Sequence, residues 1–233
     1  MNNNELFPID LASVDHVLNT TRSVRLRLDL EREVPTSIIN ECLEIALQAP
    51  TGANTQTWRF MVVTDPEKKS VIADAYRRGA ELYMGDQTGM TRTGVSANRE
   101  YDSSDMRSKQ KDGVITSSVH LLEHMHEVPM LIIPCIESRF EEEAPFEQAS
   151  MYGSILPATW SLMLALRARR LASAWTTLHI LYEQQVRDAL GMPDNITQAA
   201  LLPVAWLKGG ELHKAKRLPL GDVCYWETWG ENA

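Results

Sequence analysis

The sequence predicts an α+β fold in which a few strands are set among many helices. Two observations lead there. Three short apolar runs, Trp58 to Thr64, Pro129 to Ile136 and Ala200 to Leu207, have the length and composition of buried strands. Between them, apolar residues recur at three- and four-residue intervals, the period of amphipathic helices, and no internal repeat or low-complexity tract interrupts the pattern.

Taken in order, the first helix is expected to start after Ser13 as N-cap and to run through Val14, Val17 and Leu18 to Asn19-Thr20-Thr21. A cationic segment, Arg22-Ser23-Val24-Arg25-Leu26-Arg27, follows. A second helix begins near Pro35-Thr36-Ser37, places Ile39, Cys42, Leu43 and Ala46 on one face, and stops before Pro50. The polar loop Thr51 to Thr57 leads into Trp58 to Thr64, expected as a core strand and ended by Asp65-Pro66. Lys68 to Tyr83 reads as a helix. Gly85 to Gly113 is polar and dotted with glycine, the best candidate for a lid. A helix from about Ser117 to His126, the second strand, an acidic loop at Glu141-Glu142-Glu143 and a long uncharged helix come next. Beyond Ala172 to Thr177, a helix from Tyr182 to Leu190 ends at Gly191 and Pro193, ahead of the third strand. The tail, 208–233, has little core of its own and carries Trp226 and Trp229, so it needs a surface to lie on, such as a partner subunit.

Composition narrows the function. With 233 residues and 44% hydrophobic content, one domain with one substantial core is expected over 1–233. A formal charge of -8 opposes a nucleic-acid backbone as partner. Cys42, Cys135 and Cys224 are far apart and suit reduced thiols, and the polar start, Met1 to Asp10, lacks the pattern of a secretory signal; a cytoplasmic location is the expectation. Ala149 to Leu166 contains no charged residue, but Ser150, Gly153, Ser154, Pro157, Thr159 and Ser161 argue for a helix buried in protein rather than in a membrane.

Four constellations could carry chemistry. Arg22, Ser23 and Arg25, with Arg27 close behind, combine guanidinium forks with a hydroxyl, a donor set suited to a phosphate held by side chains; a solvated cationic patch is the competing reading. Ala49-Pro50-Thr51-Gly52-Ala53-Asn54-Thr55-Gln56-Thr57-Trp58 joins a helix stop to a strand through a loop whose backbone could approach a flat ring, or it is an ordinary polar turn. Ala174-Trp175-Thr176-Thr177 and Arg217 in Lys216-Arg217-Leu218-Pro219 are weaker, and each could be structural. His120-Leu121-Leu122-Glu123-His124 matches a zinc-peptidase pattern, yet no third ligand follows it and no metal is expected. No nucleophile elbow or triad is visible, so no catalytic side chain is named.

Together and in this order, the basic segment, the APTGANTQTW loop, the SAWTT element and the Arg-Leu-Pro tail resemble the FMN-dependent nitroreductase family, from about Ser13 to Trp229. The resemblance implies an α+β sandwich with a central, mostly antiparallel sheet flanked by helices. It also implies a homodimer in which the tail embraces the partner and flavin mononucleotide (FMN) lies at the interface. By position, Arg22, Ser23 and Arg25 would hold the phosphate and ribityl chain, with Arg217 closing on the phosphate. Pro50, Thr51, Gly52 and Asn54 would come from the other subunit, and Trp175, Thr176 and Thr177 would line the ring system. NADH or NADPH would supply electrons, passed in a ping-pong cycle to nitroaromatics, quinones or related electrophiles. Specialised dehalogenating, desaturating or flavin-fragmenting relatives, or a flavin-binding protein without turnover, are the alternatives. Many members carry a basic residue where this chain has Thr21, and Gln-Pro-Trp where it has Gln56-Thr57-Trp58.

Overall fold

A computed structural model describes residues 9–84 and 101–231. Six helices are present among them: α1 (Leu11–Thr20), α2 (Thr36–Ala46), α3 (Pro66–Met84), α4 (Met106–His124), α5 (Pro145–Ala168) and α6 (Glu183–Leu190). Six strands, β1 (Leu28–Asp29), β2 (Trp58–Val63), β3 (Met130–Glu137), β4 (Leu171–Ser173), β5 (Ile196–Gln198) and β6 (Leu202–Leu207), form one sheet. Its path runs β1-β6-β3-β2, with β4 beside β6 and β5 beside β3, and the pairings are antiparallel.

Alternation along the strands explains the layers. Leu131, Ile133 and Cys135 of β3 point into one core with Ile72, Leu121 and Val186, from α3, α4 and α6. Met130 and Ile132 point the other way, into a core with Ile39, Cys42, Leu162 and Leu166 from α2 and α5. A sheet covered by helices on both faces needs apolar residues at successive positions, which is why β3 is a continuous apolar run. Burial drives the Cys135 thiol up to about 12, so it stays a neutral packing group.

Several expectations are corrected. Asp10, not Ser13, caps α1: its carboxylate accepts from the Ala12 amide at 3.1 Å. Among the described residues the strand at Trp58 is an edge strand paired only with β3; Trp58 and Val63 are buried while Arg59 and Val62 face outward. The helix expected from Ser117 begins at Met106, where Asp105 accepts from the Arg107 amide at 2.7 Å. The expected lid, Gly85 to Gly113, is therefore helical from Met106 onward, and its 85–100 portion lies outside the described residues. The strands β1, β4 and β5, of two or three residues each, are too short for a local pattern to reveal.

Of the described helices, α5 alone is long and apolar enough to cross a membrane. It packs against α2, β3 and β4, and its buried Thr159 hydroxyl donates to the Ile155 carbonyl at 2.8 Å, the behaviour of a core helix.

Candidate functional site

Two segments distant in sequence are stitched together first. The Val24 amide donates to the Ser173 carbonyl at 2.9 Å, and the Trp175 amide donates to Ser23 Oγ at 2.9 Å. The basic segment thus lies along the chain leaving β4. Thr176 then forms an antiparallel bridge with Leu201, and the chain winds into a 3-10 turn at Leu178–Tyr182. Gly79 of α3 lets this strap settle, because a Cβ there would stand 2.1 Å from the Leu178 carbonyl oxygen.

Between the strap, α3 and α4 opens a cavity of ≈ 830 Å³, within the range of small-molecule sites. From α3, Tyr76, Ala80, Tyr83 and Met84 face it, spaced as one helical face. Arg107, Lys111, Val114, Ser118 and Leu122 do the same from α4, and Arg25, Trp175, Thr176 and Thr177 complete the wall. Burial pushes the Tyr76 phenol above its ordinary pKa, opposed by a hydrogen bond with Thr176 and by the charge of Arg25, so it offers a neutral hydroxyl. The Arg107 guanidinium bonds Asp105 at 2.7 Å and lies 4.1 Å from the centre of the Tyr101 ring. That bond holds the Asp105 carboxyl at about 2.

The three arginines of the basic segment separate by task. Arg25 faces the cavity. Arg27 turns toward the start of the tail, where Nε donates to the Lys208 carbonyl at 2.8 Å, Nη1 to the Glu211 carbonyl at 3.4 Å and Nη2 to the Gly210 carbonyl. Arg22 Nη1 donates to the His213 carbonyl at 3.0 Å, and the rest of its fork is not committed by that bond.

Within one protomer, Pro50, Thr51, Gly52 and Asn54 are not brought to the cavity, nor is exposed Arg217. Their loop is nevertheless built rather than slack. The Gly52 amide donates to Ser154 Oγ at 2.9 Å, and a Cβ on Gly52 would stand 2.5 Å from Ser150 Oγ. Ala53, Asn54 and Gln56 take positive φ angles of 48°, 55° and 52°. Such left-handed conformations at non-glycine residues each cost about 1 kcal/mol or more. Strain of this kind concentrates where backbone must meet a ligand.

The residues of the zinc-peptidase pattern sit on α4. The His120 and His124 rings lie 4.5 Å apart and His124 Nδ1 meets Glu127 at 3.1 Å, but no group of three potential ligands occurs among the described residues. Sequence reasoning missed Tyr76 and Tyr83, and it placed Arg107 and Lys111 only within the Gly85 to Gly113 lid candidate, without a role. The usable signal was the spacing Tyr76, Ala80, Tyr83, Met84 on one face of α3, matched by Arg107, Lys111, Val114 and Ser118 on α4.

Comparison with known proteins bears on the fold and the family. Iodotyrosine deiodinase of Drosophila melanogaster is 29% identical over 177 residues, 75% of this chain and 55% of that protein, so the chain matches about half of that relative's length. A crystal structure of oxidised iodotyrosine deiodinase bound to FMN and 3-iodo-L-tyrosine superposes with a TM-score of 0.68 at 21% identity, covering 93% of this chain and 100% of that one. A crystal structure of the FMN-dependent nitroreductase of Mycobacterium smegmatis in complex with NADPH gives 0.63 at 19%, covering 94% and 100%. The sequence model of the Nitroreductase family matches residues 18–206, from the end of α1 through β6, and the chain belongs to that family.

Proposed function

We propose that this protein is an FMN-dependent oxidoreductase that acts as a homodimer, taking electrons from NADH or NADPH and delivering them to a small electrophilic acceptor. One observation carries the reading: Arg25 and Trp175 to Thr177, joined through Ser23 and Val24, meet at one largely apolar cavity in a chain of this family. The residues present fit the cofactor. Arg22 and Arg25 suit a doubly charged phosphate, and Ser23, whose Oγ accepts from the Trp175 amide, keeps its own O–H to donate. The hydroxyls of Thr176 and Thr177 can meet a polyol chain, and the apolar walls can meet a ring system.

Bound there, FMN would supply the redox chemistry, accepting a hydride from the nicotinamide and passing electrons on in a ping-pong cycle. The protein's work is positioning and charge. Arg25, at the cavity, and Arg22, which lies outside its lining and already donates to the His213 carbonyl, would neutralise a phosphate, while Tyr76, held neutral by burial, presents a hydroxyl to the cavity. No side chain is required as a nucleophile, and none is assigned a catalytic role.

Surfaces that one protomer leaves uncovered support the dimer. Leu220, Val223, Trp226 and Trp229 of the tail are exposed, Trp229 by 87%. The tail would embrace the partner, carrying Arg217 toward a phosphate, and Pro50, Thr51, Gly52 and Asn54 would complete the partner's site. Nitroaromatics and quinones are the proposed acceptors. Reductive dehalogenation is the second reading, favoured by the match to the fly deiodinase over 75% of this chain. The test is the visible spectrum of the purified dimer followed by anaerobic mixing with NADH or NADPH; a yellow protein that neither donor bleaches would remove the nicotinamide-dependent reading.

A further inference from the structure

The charges lining the cavity are lopsided. Arg25, Arg107 and Lys111 face it, and no Asp or Glu does so among the described residues, although the chain as a whole carries -8. Arg25 sits beside Ser23, where a phosphate is proposed. Arg107 and Lys111 stand apart on α4, four residues from one another and so on one helical face. Arg107 is already matched by Asp105 and lies on Tyr101, whereas Lys111 has no ion-pair partner among the described residues. One and two turns beyond Lys111, Val114, Ile115 and Val119 line the same cavity with 52%, 47% and 38% of their surface exposed. A half-exposed ammonium beside uncovered apolar side chains is complementary to an apolar anion.

We infer that the acceptor is an aromatic molecule bearing one anionic group, which Lys111 receives with Arg107 behind it while the ring lies against Val114, Ile115 and Leu122. This rests on the proposed oxidoreductase reading, because it names the acceptor class for that same site. A zwitterionic amino acid fits less well, since no described carboxylate lines the cavity to meet its ammonium. An anion on this wall could also be a phosphate of the nicotinamide donor, and the test separates the two.

Calorimetric titration of the flavin-loaded protein with 4-nitrobenzoate, 4-nitrobenzamide and 4-nitrophenylalanine reads binding without turnover. The acid should bind about tenfold tighter than the amide or the zwitterion, the scale of one charge-assisted hydrogen bond. That preference should vanish in Lys111→Gln and persist in Lys111→Arg; both substitutions sit on a half-exposed helix position and preserve helix propensity. Equal binding of acid and amide would overturn the inference, as would a preference that survives Lys111→Gln. It would also fall if Lys111→Gln changed the ratio of KM values for NADPH and NADH and left nitrobenzoate affinity untouched, since the cation would then serve the donor. A protein that prefers the acid yet is reduced by neither nicotinamide would sink the nicotinamide-dependent reading alone.

Discussion

The strap Trp175 to Tyr182 and the tail 208–231 are both largely irregular, yet the protomer treats them in opposite ways. The strap is held from three sides, by the Ser23 bond, by the Thr176 bridge to Leu201 and by backbone contact at Gly79. The tail is held at its start, where Arg22 and Arg27 grip carbonyls between Lys208 and His213 and Leu212 enters the core. Beyond that, Leu220, Val223, Trp226 and Trp229 are exposed. An irregular segment is ordered by whatever satisfies its backbone and buries its side chains. For the strap those partners are in the same protomer, and for the tail we assign them to a second one.

The comparison can be broken most forcefully at the tail. Deleting 214–233 should convert the proposed dimer to a monomer at micromolar concentration, read by sedimentation velocity; a truncated protein that remained dimeric would show that the tail is not what joins the subunits. At the strap, Gly79→Ala should cost about 2–3 kcal/mol of stability by denaturant unfolding, because a Cβ 2.1 Å from a backbone oxygen forces α3 and the strap apart. An unchanged midpoint would mean that the strap is not seated as described.

A finer contrast lies between neighbouring arginines. Arg25→Ala should weaken FMN binding about 10- to 100-fold by fluorescence titration, the worth of a charged hydrogen bond. Arg27→Ala should act on the tail instead, removing the donors for the Lys208, Gly210 and Glu211 carbonyls. Equal losses of flavin in the two variants would erase the division of labour between them.

The smallest effect is a pH dependence built into the strap. His179 is fully buried, neither ring nitrogen has a hydrogen-bond partner within bonding distance among the described residues, and burial, opposed by neighbouring Gln198, lowers its pKa from 6.5 to about 3. The folded state keeps the ring neutral while the unfolded state protonates it below 6.5, so stability is complete above that value and declines as pH falls toward 3. Between pH 7 and pH 5 this group should remove about 2 kcal/mol, measured by urea unfolding. His179→Leu should abolish that part of the slope, and an unaltered slope would exclude His179 as its source.

Much of the fold was legible because its signals are local. The apolar run of β3, the periodic face of α2 and the stop at Gly191 are written in neighbouring residues, and Gly191 adopts the left-handed conformation expected of a helix stop. The start of α4 was hidden because Met106 to Asp112 is polar on its exposed side, and its cap, Asp105, is one acidic residue among several. Strands β1, β4 and β5 exist only because a neighbour offers its edge.

The sequence by itself determined which residue types were on hand: three arginines and a serine in one short segment, a loop rich in turn residues, a tail with two tryptophans and little core of its own, and three strand runs long enough to form a sheet. Only the tertiary structure decided which of them meet. It turned Arg25 toward the cavity and Arg27 toward the tail, brought Ser23 to Trp175 across 152 positions, and added Tyr76, Arg107 and Lys111, which no motif had marked. The physical reason is that residue type sets what a side chain can bond to, whereas partner and direction depend on close packing between segments remote in sequence.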